Sequence, residues 1–195
     1  MIVRASALAC ALSLAAAGAD GEPAGVPQTA FDAFKTFCAA YQGDNAAAEA
    51  QARAMGFTAS LKHYGGDPAA PPTPILTPPA PAAYDLVFLG DRDEARGARA
   101  TRCRIIVTDP DHALAKGANA WPGIQPTRTF GPQATYIYRQ TPTGRVALSQ
   151  PDSNLPANIQ GGEMRVLIVT AGPQISVVDL ATYIPDPPQA AAAKP

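Results

Sequence analysis

The chain has 195 residues, of which 41 are alanine and 21 are proline, and it carries a formal charge of −1 from 15 basic and 16 acidic side chains. A charge so close to zero argues against the polybasic surfaces with which proteins bind nucleic acid or anionic membranes. The length fits one domain whose core is short of large apolar side chains.

The first 19 residues have the three-part layout of a secretory signal peptide. Arg4 precedes an uncharged apolar run from Ala5 to Ala17, and cleavage is expected after Ala19. Cleavage removes one basic residue and no acidic one, so the formal charge changes from −1 to −2. The run is shorter than the roughly 20 apolar residues of a membrane-spanning helix. The sequence therefore predicts an exported protein, periplasmic or secreted, with no membrane span.

Residues 20–66 are predicted to form an N-terminal helical segment. Thr29 can cap a first helix whose apolar residues recur at helical spacing, namely Phe31, Phe34, Cys38 and Tyr41. Asp44 can cap a second helix through Met55. We expect the two helices to form a hairpin whose aromatic stripe packs on a sheet, with a ligand pocket as the alternative.

Residues 67–83 are predicted to form a Pro-rich connector. Seven of the fourteen residues from Pro68 to Pro81 are proline, which indicates an extended, semi-rigid chain without ladder hydrogen bonds. Ile75 and Leu76 interrupt the prolines and are expected to hold the segment on the domain surface. A Pro-x-x-P ligand for a partner domain is the alternative.

Residues 84–184, the β-rich part of the same domain, alternate as strands do. The predicted strands are 84–89, 101–108, 127–140 with a possible break at Gly131-Pro132, 146–149, 164–170 and 175–180. A charged loop joins the first two strands, and Asp111 can cap a short helix. The fold class predicted is α+β, with the helical hairpin packed on a mostly antiparallel sheet of about five or six strands. Residues 185–195 are predicted to be a disordered tail.

Two cysteines, Cys38 and Cys103, lie outside the predicted signal peptide, which contains Cys10. In an oxidising compartment a disulfide between them is expected. Alternation places Cys103 on the core side of its strand, where the helix bearing Cys38 should lie. A metal pair or redox dithiol would need closer spacing or histidine partners. One structural disulfide is therefore predicted, with no metal and no cofactor.

Arg102 and Arg104 flank Cys103 and should point to the opposite face of the strand. Arginine forks suit carboxylate, phosphate or sulfated ligands. Further arginines on neighbouring strands could join them, namely Arg139, Arg145 and Arg165. Nearby carboxylates, such as Asp109 and Asp111, could instead make the surface an ordinary salt-bridged face. Arg102 and Arg104 are the predicted ligand-binding residues.

No catalytic motif is present in the sequence. There is no G-x-S-x-G elbow or phosphate-cradling glycine loop, and the disulfide leaves no thiol for a Cys/His pair. We therefore predict a non-catalytic binding or interaction module of the bacterial cell envelope, for an envelope protein or a small anionic ligand. The alternatives are a small secreted hydrolase that uses scattered carboxylates or His112, and a purely structural envelope component.

Overall fold

The computed structural model of the chain describes residues 25–63, 71–93, 98–148 and 159–186, with only the backbone for residues 91–93. These residues form a sheet-dominated α+β fold with three short α-helices, one large antiparallel sheet and one disulfide. The predicted signal peptide lies outside the described residues. No described helix has both the length and the apolar character needed to cross a membrane.

The helical elements are α1 (Ala30–Ala33), a π-helical segment that follows it without a break (Phe34–Ala39), α2 (Asn45–Ala54) and α3 (Ala113–Ala120). Two of the predicted caps are confirmed. The hydroxyl of Thr29 accepts the backbone N–H of Asp32 at 3.0 Å, and the carboxylate of Asp44 accepts that of Ala47 at 3.0 Å. Side-chain oxygens thus satisfy the N–H groups that a helix start leaves without partners.

The strands are β1 (Thr58–Lys62), β2 (Thr73–Thr77), β3 (Asp85–Asp93), β4 (Ala98–Thr108), β5 (Arg128–Phe130), β6 (Gln133–Thr141), β7 (Gly144–Ala147), β8 (Met164–Ala171) and β9 (Ile175–Pro185). They form one sheet in the order β1-β2-β3-β4-β9-β8-β6-β5, and β7 also pairs with β6. All pairs are antiparallel, as predicted. The nine strands exceed the five or six expected.

The predicted helical hairpin is not shown. The first helix is one α-helical turn followed by π-helix, and the inner side of α2 consists of small side chains, the buried Ala48 and Ala52. Asn45, at the start of α2, donates from Nδ2 to the carbonyl oxygens of Leu89 at 2.9 Å and Arg102 at 3.0 Å. These bonds anchor α2 to β3 and β4. The small side chains of Ala48 and Ala52 let the helix lie close enough to the sheet for the bonds to form.

Two strands lie where the sequence predicted none. β1 falls in the predicted helical segment, and its five residues pair with β2, which falls in the predicted Pro-rich connector. The expectation of a connector without ladder hydrogen bonds is therefore wrong for Thr73–Thr77. Burial of Ile75 and Leu76 holds β2 in place. Pro74 is tolerated because β2 pairs with β3 only between Leu76 and Leu86, so position 74 needs no bond on that side.

Each face of the sheet carries a core. The larger core lies between the sheet and the helices, on the face that we call the helix face, and includes Cys103, Ile105, Leu167, Val169, Val178 and Leu180 from the central strands. We call the opposite face, which carries Arg102 and Arg104, the arginine face. Its smaller core consists of Ala98, Ala100, Ile137, Ile159, Met164, Val166, Ala181 and Tyr183.

The predicted disulfide is confirmed. Cys38 in the π-helical segment and Cys103 on β4 are bonded, with their Cα atoms 5.2 Å apart and a sequence separation of 65. Both side chains are buried on the helix face. On the chain-entropy model, closing a loop of this length stabilises the fold by up to about 4 kcal/mol.

Candidate functional site

The register of the sheet divides the arginines between the two faces. Arg102 and Arg104 lie on the arginine face, and so does Arg139, because Ile137 belongs to the core of that face. Arg165 lies on the helix face, as does Arg145. The thickness of the sheet therefore separates Arg145 and Arg165 from the three arginines on the arginine face.

Arg104 is neutralised by a carboxylate on the neighbouring strand. It stands opposite Asp179 of β9, and its Nε donates to Asp179 Oδ2 at 3.0 Å. The carboxylate side chain is only 9% exposed, whereas that of Arg104 is 32% exposed. This is the cross-strand ion pair that the salt-bridged interpretation predicts, and it leaves Arg104 with little free charge.

Arg102 has different neighbours. The register places Leu89 of β3 and Ala181 of β9 beside it, and Ala100 precedes it on the same face. Its side chain is half-buried, and its buried Nε has no hydrogen-bond partner among the described residues. None of the three neighbouring side chains can accept a hydrogen bond. Within the described part of the chain, the Nε of Arg102 is therefore an unused donor.

Together the two arginines and Asp179 carry a local excess of one positive charge. The pairing with Asp179 fixes Arg104, and the residues paired with Arg102, Leu89 and Ala181, have no side-chain acceptor. A guanidinium in such surroundings forms stronger hydrogen bonds with an anion than one in water does. The arrangement can hold one carboxylate or phosphate group.

A second group of arginines on the helix face was not recognised as a unit in the sequence. Arg165 is almost fully buried and donates to Glu163 Oε1 and Gln42 Oε1, both at 2.8 Å. The guanidinium carbon of Arg145 lies 3.7 Å from the centre of the Trp121 ring. Burial raises the pKa of Tyr138, which lies near both arginines, although their charges act in the opposite direction. No local pattern in the sequence marks this group, since its members come from separate elements.

Asp109 and His112, on which the hydrolase alternative depends, lie at the start of α3. The two carboxylate oxygens of Asp109 accept the backbone N–H groups of Ala113 at 2.8 Å and Leu114 at 2.9 Å. Asp109, and not the predicted Asp111, therefore caps this helix, because the Pro110-Asp111 turn brings the earlier carboxylate beneath the helix start. Both oxygens of the Asp109 carboxylate are therefore used to cap α3.

The pKa of Asp109 reflects that role. Burial acts to raise it, but the neighbouring Ser176 side chain, the backbone N–H groups of α3 and the charge of His112 together lower it below its usual range. The carboxylate is therefore ionised whenever the protein is near neutral pH. Within the described residues no group of three or more His, Cys, Asp or Glu side chains is arranged to hold a metal ion.

Comparisons with known proteins give no relative for this chain. No family model, no curated protein and no solved structure matches it.

Proposed function

We propose that this chain is an exported, non-catalytic binding module of the bacterial cell envelope, and that its arginine face binds the carboxylate or phosphate group of an envelope protein or small ligand. The observation that carries the proposal is the contrast between Arg104, which is paired with Asp179, and Arg102, whose buried Nε has no described partner. The predicted signal peptide and the disulfide support export to an oxidising compartment.

The energetics favour an anion at Arg102. A buried donor without a partner costs about 1–3 kcal/mol, and more when the group is charged. An incoming carboxylate or phosphate would accept from the two terminal nitrogens of Arg102, because its Nε is buried, and arginine often binds such anions through two parallel hydrogen bonds. Binding would thus give the Arg102 guanidinium charge-assisted hydrogen bonds with an anion.

The direct test is a titration with acetate and with inorganic phosphate, followed by the ¹H–¹⁵N NMR signals of the arginine Nε–H groups. The Arg102 signal, assigned as the one lost in Arg102→Lys, should shift saturably and more weakly at high salt. Arg99 is the matched control, since it lies exposed on the same strand and on the opposite face. Equal shifts for Arg99 and Arg102, or none for Arg102 with either anion, would overturn the proposal.

A second arm identifies a macromolecular source of the anion. In-cell cross-linking and mass spectrometry of the tagged chain should enrich a specific envelope component, and Arg102→Gln should reduce that enrichment at least tenfold. Arg99→Gln removes the same charge from the same strand and should leave it unchanged. A component lost equally in both variants would point to general electrostatic attraction and contradict a site at Arg102.

A further inference from the structure

The outer edge of β1 has no partner strand among the described residues. β1 ends the sheet on one side, pairs only with β2, and all five of its residues are exposed. Such an edge presents a row of unused backbone N–H and C=O groups that can pair with another strand. The side chain of Leu61, 65% exposed, adds apolar surface to this edge.

Features that normally protect an edge strand are weak here. Lysine on an edge strand discourages pairing through its charge, but the ammonium group of Lys62 is held by Asp85 at 2.8 Å. β1 also contains no proline. At the other end of the sheet, the edge of β6 is covered by two short strands, β5 and β7. Short strands therefore cover the edge of β6, whereas no described strand covers the outer edge of β1.

The side chains of β1 fit those of a second, antiparallel copy of the same strand. We propose that a second copy of this chain pairs with β1 in antiparallel fashion about a two-fold axis at Ser60. In that register each Leu61 lies opposite Ala59 of the other copy, so a large apolar side chain meets a small one. Thr58 lies opposite Lys62, and no like charges face each other. A two-fold axis of this kind uses the same surface of both copies.

The size of the contact predicts how strong the dimer is. Five paired residues per chain bury less than the roughly 1,600 Å² of a standard protein interface. We therefore expect a weak dimer, with a dissociation constant in roughly the micromolar range. The two sheets would join into one continuous sheet that keeps the arginine face of each copy accessible, because β1 and β4 are separated by two strands.

The test is sedimentation equilibrium over a range of concentrations with variants that probe the register. The wild-type mass should rise from that of one copy towards that of two. Ala59→Lys with Leu61→Lys places like charges opposite each other and should keep the chain monomeric. Ala59→Glu with Leu61→Lys places opposite charges there and should restore a dimer that dissociates in high salt.

The controls separate this inference from the rest of the molecule. Phe130→Lys makes a similar change at an exposed position of the opposite edge and should not alter dimerisation. Arg102→Gln should dimerise like the wild type, so failure of the anion site and failure of the dimer are distinguishable. A wild-type chain that stays monomeric to about 1 mM, a doubly lysine-substituted chain that still dimerises, or a charge-complementary pair that stays monomeric would each overturn the proposed pairing.

Discussion

The helix face and the arginine face differ in the acceptors that they offer to arginine side chains. On the helix face, Arg165 donates to Glu163 and Gln42, and Arg145 stacks on Trp121 while donating to the carbonyl oxygens of Trp121 at 3.0 Å and Pro122 at 3.3 Å. On the arginine face, Arg104 pairs with Asp179, whereas Arg102 has apolar neighbours and its Nε, like that of Arg145, has no described partner. The number of arginines on a surface therefore says less about ligand binding than the supply of acceptors around each one.

This difference separates stabilising arginines from one available for function. A guanidinium whose donors are satisfied inside the fold contributes to the free energy of unfolding. One that remains unsatisfied contributes little and can be retained for an external anion. The comparison predicts different responses to the same substitution on the two faces.

The largest effect is expected from the cross-link that holds the helices on the helix face. Replacing both Cys38 and Cys103 by alanine should lower the free energy of unfolding by about 3–4 kcal/mol, because the unfolded chain gains freedom. Urea unfolding of this variant would show it, and reductant should shift the wild type in the same direction. An unchanged midpoint in both experiments would show that helix-face packing is independent of the disulfide.

An intermediate effect is expected when the two kinds of arginine are changed alike. Arg165→Met should lower the free energy of unfolding by about 2 kcal/mol, since it removes charge-assisted hydrogen bonds from a buried site. Arg102→Met should change it by less than about 0.5 kcal/mol or increase it, because no internal bond is lost. The urea unfolding midpoints of the two variants and the wild type, measured without added anions, test this difference. Equal losses in the two variants would contradict the comparison.

The smallest effect concerns the cap of α3 on the helix face. Asp109→Asn should lower the free energy of unfolding by about 1 kcal/mol at pH 7, because both carboxylate oxygens accept backbone N–H groups and an amide has only one acceptor oxygen. Folding lowers the pKa of Asp109. The contribution of its carboxylate to the free energy of unfolding is therefore fully present above the pKa of the unfolded chain, about 3.9, and is lost as the pH falls through the pKa of the folded protein. The difference between wild type and variant should therefore shrink below about pH 4.

The control for the cap is Asp111→Asn, at an exposed position two residues along the chain. It should change the free energy of unfolding by less than about 0.5 kcal/mol. If Asp111→Asn proved as costly as Asp109→Asn, or if the Asp109 effect were independent of pH, the assignment of the cap would be wrong.

Elements with strong local patterns were predictable from the sequence. The alternation in β4, the short apolar runs in β8 and β9, and the capping residues Thr29 and Asp44 are local signals, so they can be recognised without knowledge of the partners. β1 was missed because it has only five residues and its apolar alternation consists of Ala59 and Leu61 alone. β2 was missed because Pro74 and the prolines on either side of the strand outweighed the two buried residues that place it in the sheet.

The sequence by itself determined that Cys38 and Cys103 could pair, and that Cys103 and its flanking arginines would lie on opposite faces of one strand, since alternation is a local property of extended chain. It could not distinguish Arg102 from Arg104. That distinction arises where β9 brings Asp179, 75 residues away in sequence, opposite one arginine and Ala181 opposite the other. Only the tertiary structure decides it, because cross-strand register depends on the packing of the whole sheet.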